Sequence, residues 1–315
     1  MMARPFAWFV VAMAVAAWLD PAVGADVNRR QPSPALGPLR VHPTNPRYFT
    51  DGTTKRDGSL RTVYLTGSHT WGNLCDYRTN WPAFDYAGYL DFLGRYHHNF
   101  IRFIRQCEAA KPRQHPVGMT AVFNILNGSW ATDNRVLFDS PADWISPGLD
   151  PYKDSPPAAD GKKVIIADVD HIWPTPPHRG WIWECFLRGI QPILMDTYCY
   201  GKPEWTSVEE QEALRKQMGY ALDLARKVNL ATMTPRPELA STTYCLANPG
   251  NEYLVYQPKR SAAFSVELKA GTYRYEWFDP GKGGAADSGS TESSGQTREF
   301  KAPFEGDAVL YLSAQ

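Results

Sequence analysis

Charge of either sign is what this sequence lacks first. Its 33 Lys and Arg are matched by 33 Asp and Glu, and only 21% of the 315 residues are charged. Strong general attraction to nucleic-acid phosphates or anionic membranes takes clustered Lys and Arg, so neither is an expected partner. Cysteine is sparse as well. The five residues Cys75, Cys107, Cys185, Cys199 and Cys245 contain no C-x-x-C, and no His stands at metal-ligand spacing. No metal site is expected. An odd number leaves at least one thiol unpaired; Cys185 and Cys199 could bridge, or the cysteines could serve as small buried hydrophobes. Missing too are G-x-S-x-G, G-x-x-x-x-G-K-[ST], G-x-G-x-x-G and H-E-x-x-H, which removes the usual serine-hydrolase, nucleotide-binding and zinc-protease arrangements. No cofactor is implied.

Long apolar runs are absent except at the start. Arg4, then an apolar stretch over residues 6–19, then Val23-Gly24-Ala25, have the layout of a secretory signal peptide. That stretch is shorter than the ~20 residues that span a bilayer. Residues 1–25 are therefore expected to direct export to a secreted or periplasmic location, with no membrane attachment after cleavage. Residues 26–37 are a polar, proline-rich linker.

Apolar and aromatic residues are abundant, at 43% and 13%. Flat rings fill cores and also stack on sugars. From residue 38 the periodicity alternates between strand and helix. Residues 63–66 (VYLT) read as a buried strand feeding a loop. Asp85 caps a helix with Tyr86, Tyr89, Leu90 and Leu93 on one stripe. Further strands are expected at 100–104, 117–123, 163–167 and 193–195, with helices over 180–187 and from Ser207, where Ser207 and Glu210 form a capping box. This is the βαβ rhythm of a parallel sheet. Beyond residue 243 the period becomes two, with strands at 252–257, 263–268, 272–278 and 308–312 and a Gly/Ser-rich loop over 281–295. Tyr273, Tyr275 and Trp277 should share one face. The fold class is therefore α/β plus all-β, with a β-sandwich over residues 237–315.

In parallel α/β folds ligands bind at the carboxyl ends of strands. The sharpest candidate is VIIADVDHIW, in which an apolar strand runs into Asp168, Asp170, His171 and Trp173. If the strand persists, Asp168 and Asp170 point the same way. Such a carboxylate can act as nucleophile, acid or base in glycoside hydrolysis; the alternative is that one Asp caps a turn and the other pairs with Arg179 or His171. His69 and Trp71, after the first strand, could orient and stack on a sugar ring. Asp196 follows residues 193–195 in the same way. Asp170 and Asp168 are thus the candidate catalytic residues, with His69, Trp71, His171, Trp173 and Asp196 as substrate-binding residues. The expected partner is a polysaccharide or oligosaccharide.

The phrases LRVHPTNPRYFTDG, VYLTGSHTW, LFDSPADWISP, VIIADVDHIW, FLRGIQPILMD and YCLANPGNEYLVYQP, with AGTYRYEWFDPGKG near the end, resemble exported (β/α)8 glycoside-hydrolase-like proteins related to apiosidases. The resemblance covers most of residues 38–315. It implies a TIM-type barrel over 38–236, then a β-sandwich that carries a collagen-binding label in that family. A matrix protein is accordingly a second expected partner.

Set beside that family, the barrel is incomplete. Eight βα units take about 250 residues, and only five barrel strands are legible before residue 236. About three units, on the order of 90 residues, are missing between Arg105 and His115, where nine residues stand instead. The resemblance places an Asn-Glu pair, its Glu the acid/base, in the missing stretch. The sole Asn-Glu here is Asn251-Glu252, which opens a strand of the C-terminal region. An internal deletion near 105–115 is expected, and with it weak or no turnover.

Overall fold

The computed structural model describes residues 37–69, 85–101, 116–121, 123–124, 129–130, 134–148, 150–172, 178–196 and 207–315. A short antiparallel hairpin, β1 (Arg40–Val41) and β2 (Phe49–Thr50), opens it. Then come β3 (Gly67–His69), α1 (Tyr86–Arg95), β4 (Phe100–Ile101) and β5 (Gly118–Thr120). A small hairpin of β6 (Phe123–Asn124) and β7 (Ser129–Trp130) precedes α2 (Asn134–Asp139) and β8 (Trp144–Ser146). The alternation continues with β9 (Val164–Asp168), α3 (Trp181–Leu187), β10 (Gln191–Met195) and α4 (Val208–Lys227).

Six of these strands form one all-parallel sheet in the order β4-β3-β10-β9-β8-β5. Its last strand in sequence, β10, pairs with its first, β3, as the seam of a closed barrel does. The edges are β4 and β5, the two strands flanking the stretch around 105–115. The sheet is thus a half-barrel that closes at the seam and opens there.

Two expectations about strands are corrected. The first parallel strand is Gly67–His69, not residues 63–66. Side chains replace the ladder before it: Gln191 Oε1 accepts from Leu65 N at 2.9 Å, and Asn99 Oδ1 from Thr66 N at 3.0 Å. Gly67 is required because a Cβ there would lie 1.8 Å from the carbonyl oxygen of Phe100 on β4. The sixth strand, Trp144–Ser146, lies in what reads as a long Pro/Asp-rich loop. Three residues are too few to show a period.

Both faces of the parallel sheet are buried, as βα crossovers require. Val164, Ile166 and Ile193 pack with Leu65, Phe49 and Trp144 on one face. Ile165, Ala167 and Leu194 face α3 and α4 on the other. The capping box forms as expected: Ser207 Oγ accepts from Glu210 N at 3.1 Å, and Ser207 N donates to Glu210 Oε2 at 2.9 Å. Leu214, Met218, Leu222 and Ala225 of α4 are all buried. On α1, Asp85 accepts from Gly88 N, and Tyr89 and Leu93 are buried. Leu90 departs from the expected stripe and is 54% exposed; it sits about 100° round the helix from Tyr89.

The remaining strands are β11 (Thr234–Pro235), β12 (Cys245–Asn248), β13 (Glu252–Gln257), β14 (Phe264–Glu267), β15 (Gly271–Asp279), β16 (Gly284–Ser293), β17 (Thr297–Phe300) and β18 (Ala308–Ala314). They make a six-stranded antiparallel sheet, β11-β12-β13-β18-β15-β16, and a two-stranded sheet, β14-β17. Residues of alternating parity divide the large sheet's faces. Tyr253, Val255, Tyr273, Tyr275, Trp277 and Leu310 pack against Phe264 and Val266 of the small sheet. Leu254, Tyr256, Phe278 and Val309 join the core formed with Trp183 and α4. Gln217 ties the joint, accepting from Trp183 Nε1 at 2.7 Å and donating to the Pro280 carbonyl at 2.8 Å.

The Gly/Ser-rich stretch expected as a loop is the edge strand β16, paired along its length with β15. Its small side chains have little to bury, so it carries no hydrophobic alternation. Its order comes from the ladder and from Gly289, where a Cβ would meet the Tyr275 hydroxyl at 2.7 Å. Cys185 and Cys245 are buried free thiols.

Candidate active site

Sheet order brings the sequence candidates to one edge. The carboxyl ends of β3, β10, β9 and β8 lie side by side and carry His69, Met195, Asp168 and Ser146. Met195 is in register with His69, and Ile193 with Asp168. For His69 the backbone position at the end of β3 is what the structure describes. Trp71 and Trp173 lie outside the described residues.

Asp168 and Asp170 do not continue one strand. Asp168 ends β9, and its carboxylate accepts from Asp170 N at 3.0 Å, capping a 3-10 turn over Val169–His171. That local bond competes with the ladder and turns the chain, so the expected alternation stops at Asp168. Asp168 is fully buried and shares the parity of Val164 and Ile166, while Asp170 is half-buried. The turn also places His171, 3% exposed, with Nδ1 2.9 Å from Ser146 Oγ at the end of β8. Ser146 is itself buried and in register with Thr120 of β5. Sequence reading missed Ser146 because it missed its strand; the apolar pair Trp144-Ile145 between turn residues was the available signal.

Asp196 is drawn into a different arrangement. It is 1% exposed and held by both oxygens, with Arg215 Nε at 2.8 Å and Nη2 at 2.7 Å. Arg215 Nη2 also donates to Gln211 at 2.9 Å, and its guanidinium lies 4.9 Å from the Phe92 ring centre. Burial works against the charge of Arg215, but the bonds and charge of Asp196 outweigh it and raise its pKa. The pair fastens the end of β10 to α4 and α1. Beside it, His98 Nε2 meets the Arg215 carbonyl at 3.2 Å, and burial pushes its imidazole pKa down to about 4.

Of the three strand-end carboxylates described, Asp170 alone keeps part of its surface exposed. With the neighbouring imidazole it offers proton transfer and electrostatic stabilisation of developing positive charge. Among the described residues no group of three or more His, Cys, Asp or Glu could hold a metal ion. No helix among them is long and apolar enough to cross a membrane.

No protein-family model matches the chain, and no curated protein matches it either. Its neighbours among solved structures are glycoside hydrolases. One, described simply as a glycoside hydrolase, is 11% identical with a TM-score of 0.47, over 89% of this chain and 97% of that one. A family 5 glycoside hydrolase from Bacteroides vulgatus is 12% identical with a TM-score of 0.39, over 51% of this chain and 44% of that one. A family 30 endoxylanase from Clostridium papyrosolvens is 11% identical with a TM-score of 0.35, over 79% of this chain and 65% of that one. Likeness at this level leaves the functional argument to the residues themselves.

Proposed function

We propose that this chain is a glycoside-hydrolase-like protein of the exported, apiosidase-related (β/α)8 lineage, directed at glycosidic bonds of a complex polysaccharide and weak or inactive in this form. One observation carries the reading: Asp168, Asp170 and His171 stand at the carboxyl end of a parallel sheet whose last strand pairs with its first. Ligands of parallel α/β sheets bind at that end. Asp170 is the catalytic carboxylate, positioned by the turn that Asp168 caps, and His171 flanks it. His69, Trp71 and Trp173 line the sugar site.

Hydrolysis at an anomeric centre ordinarily takes two carboxylates, about 5–5.5 Å apart for retention and 6.5–9.5 Å for inversion. Asp168 caps the turn and Asp196 is bound by Arg215, which leaves the partner of Asp170 to the units absent near 105–115. Loss of that acid costs roughly 10²–10⁴-fold in rate. The test is hydrolysis of aryl glycosides and plant polysaccharides by the full chain and by Asp170→Asn. Slow turnover abolished by the variant is the expected result. Turnover equal in both would remove Asp170 from the chemistry. Sequencing the locus tests the deletion: uninterrupted relatives with the same short join would sink it.

The engagement of Asp168 and Asp196 favours a second reading, a non-catalytic exported protein that binds glycan or matrix protein through the β-sandwich of residues 237–315. Retention of the full chain on insoluble polysaccharide or collagen, without turnover, would select it. Export itself is tested by the N-terminal sequence of the mature protein, which should begin near residue 26.

A further inference from the structure

At the end of the half-barrel opposite Asp170, a cavity of about 190 Å³ lies among the segment before β3, Asn99 ahead of β4, and the last turns of α4. Lys55, Arg61 and Arg226 line it, with no carboxylate among the lining residues. Thr62 lines it too, and its buried hydroxyl has no hydrogen-bond partner. Val63 contributes an apolar wall.

The cations are only partly neutralised. Arg61 Nη1 meets Asp51 at 3.1 Å, and Arg226 Nη1 meets Asp223 at 3.1 Å. A guanidinium has five N–H donors, so one bond each leaves most of them available. Asp223 is shared further, its second oxygen lying 2.7 Å from His97 Nδ1. Lys55 Nζ donates to the neutral Asn229 at 2.8 Å. Against these three charges stand Asp51 and Asp223 and the carbonyl end of α4, worth about half a negative charge. Both carboxylates lie outside the lining, so the charged side chains that face the cavity are all cations. Polar groups without protein partners inside such a cavity are satisfied by water or by a ligand of opposite charge.

We propose that this cavity binds a small oxyanion, with Arg61, Arg226 and Lys55 supplying charge and N–H donors and Thr62 its hydroxyl. The group is a sulfate, a phosphate or the carboxylate of an acidic sugar. The site is separate from the strand-end candidate and does not depend on the hydrolase reading.

The test is calorimetric titration of the full chain with inorganic phosphate, sulfate and glucuronate at matched ionic strength in chloride, with glucose as the neutral control. Saturable binding of at least one oxyanion is expected, and none of glucose. Whether the inorganic anions or glucuronate bind distinguishes the two sources. Arg61→Gln and Arg226→Gln should each weaken binding roughly tenfold. Both side chains are more than half exposed, at 54% and 53%, so the variants should fold; Lys55→Gln is a further variant with the same expected direction. No saturable binding of any oxyanion, equal binding of glucose, or binding unchanged in all three variants would overturn the proposal.

Discussion

Ser146 Oγ lies 2.9 Å from His171 Nδ1, with both side chains buried where β8 and β9 end. This bond fixes the ring where Asp170 leaves the sheet. Ser146→Ala should cost about 1 kcal/mol of stability, the net worth of one hydrogen bond. It should also change the His171 tautomer balance, because the partner of Nδ1 decides which nitrogen carries the proton. Imidazole ¹⁵N shifts measure this directly. Shifts identical in wild type and variant would mean that Ser146 does not set the tautomer.

The Asp196–Arg215 pair should behave as a buried ion pair. Arg215→Met takes the cation away from the buried Asp196 carboxylate and should destabilise by about 3–5 kcal/mol. Arg215→Met combined with Asp196→Leu should cost clearly less, because no charge is stranded. Urea unfolding of the two variants and of Asp196→Leu closes the cycle. Additive losses would show that the pair contributes through packing alone.

How much of this was legible in the sequence follows from length and pattern. The capping box at Ser207 and the stripe of α4 were readable because twenty residues carry several turns of period. The strand of VIIAD was readable because it is apolar throughout. The shared face of Tyr273, Tyr275 and Trp277 followed from a nine-residue strand. Strands of two or three residues, such as β8, fall below any period. The edge strand β16 hid because its partner, not its own side chains, makes it a strand. In the site, strand ends were readable but partners were not: nothing local in Asp196 announces Arg215, nineteen residues later.

Glu184 on α3 is a buried carboxylate, 5% exposed. Its Oε2 has no hydrogen-bond partner, and its Oε1 lies 3.8 Å from His178 Nε2. Burial raises its pKa, against the pull of His178, Arg188 and the Tyr244 hydroxyl. A raised folded-state pKa means that stability present below the unfolded value is lost as pH rises through the folded one. Glu184→Gln keeps the shape of the protonated form. It should therefore raise the melting temperature at pH 7, because no buried charge has to form there. The gain should vanish at pH 4, and an equal gain at both values would point to packing instead.

His98 should make the protein acid-labile in a different window. Burial pushes its pKa down to about 4, below the 6.5 of a free imidazole. Between these values the unfolded chain holds the proton and the folded one does not, so stability present above pH 6.5 drains away as pH falls towards 4. The drop amounts to as much as about 3 kcal/mol. His98→Gln removes the titration while retaining an N–H donor for the Arg215 carbonyl. Its unfolding free energy should vary less with pH across this range than that of the wild type. Parallel pH dependences in denaturant titrations from pH 4 to 7 would assign the acid lability to other groups.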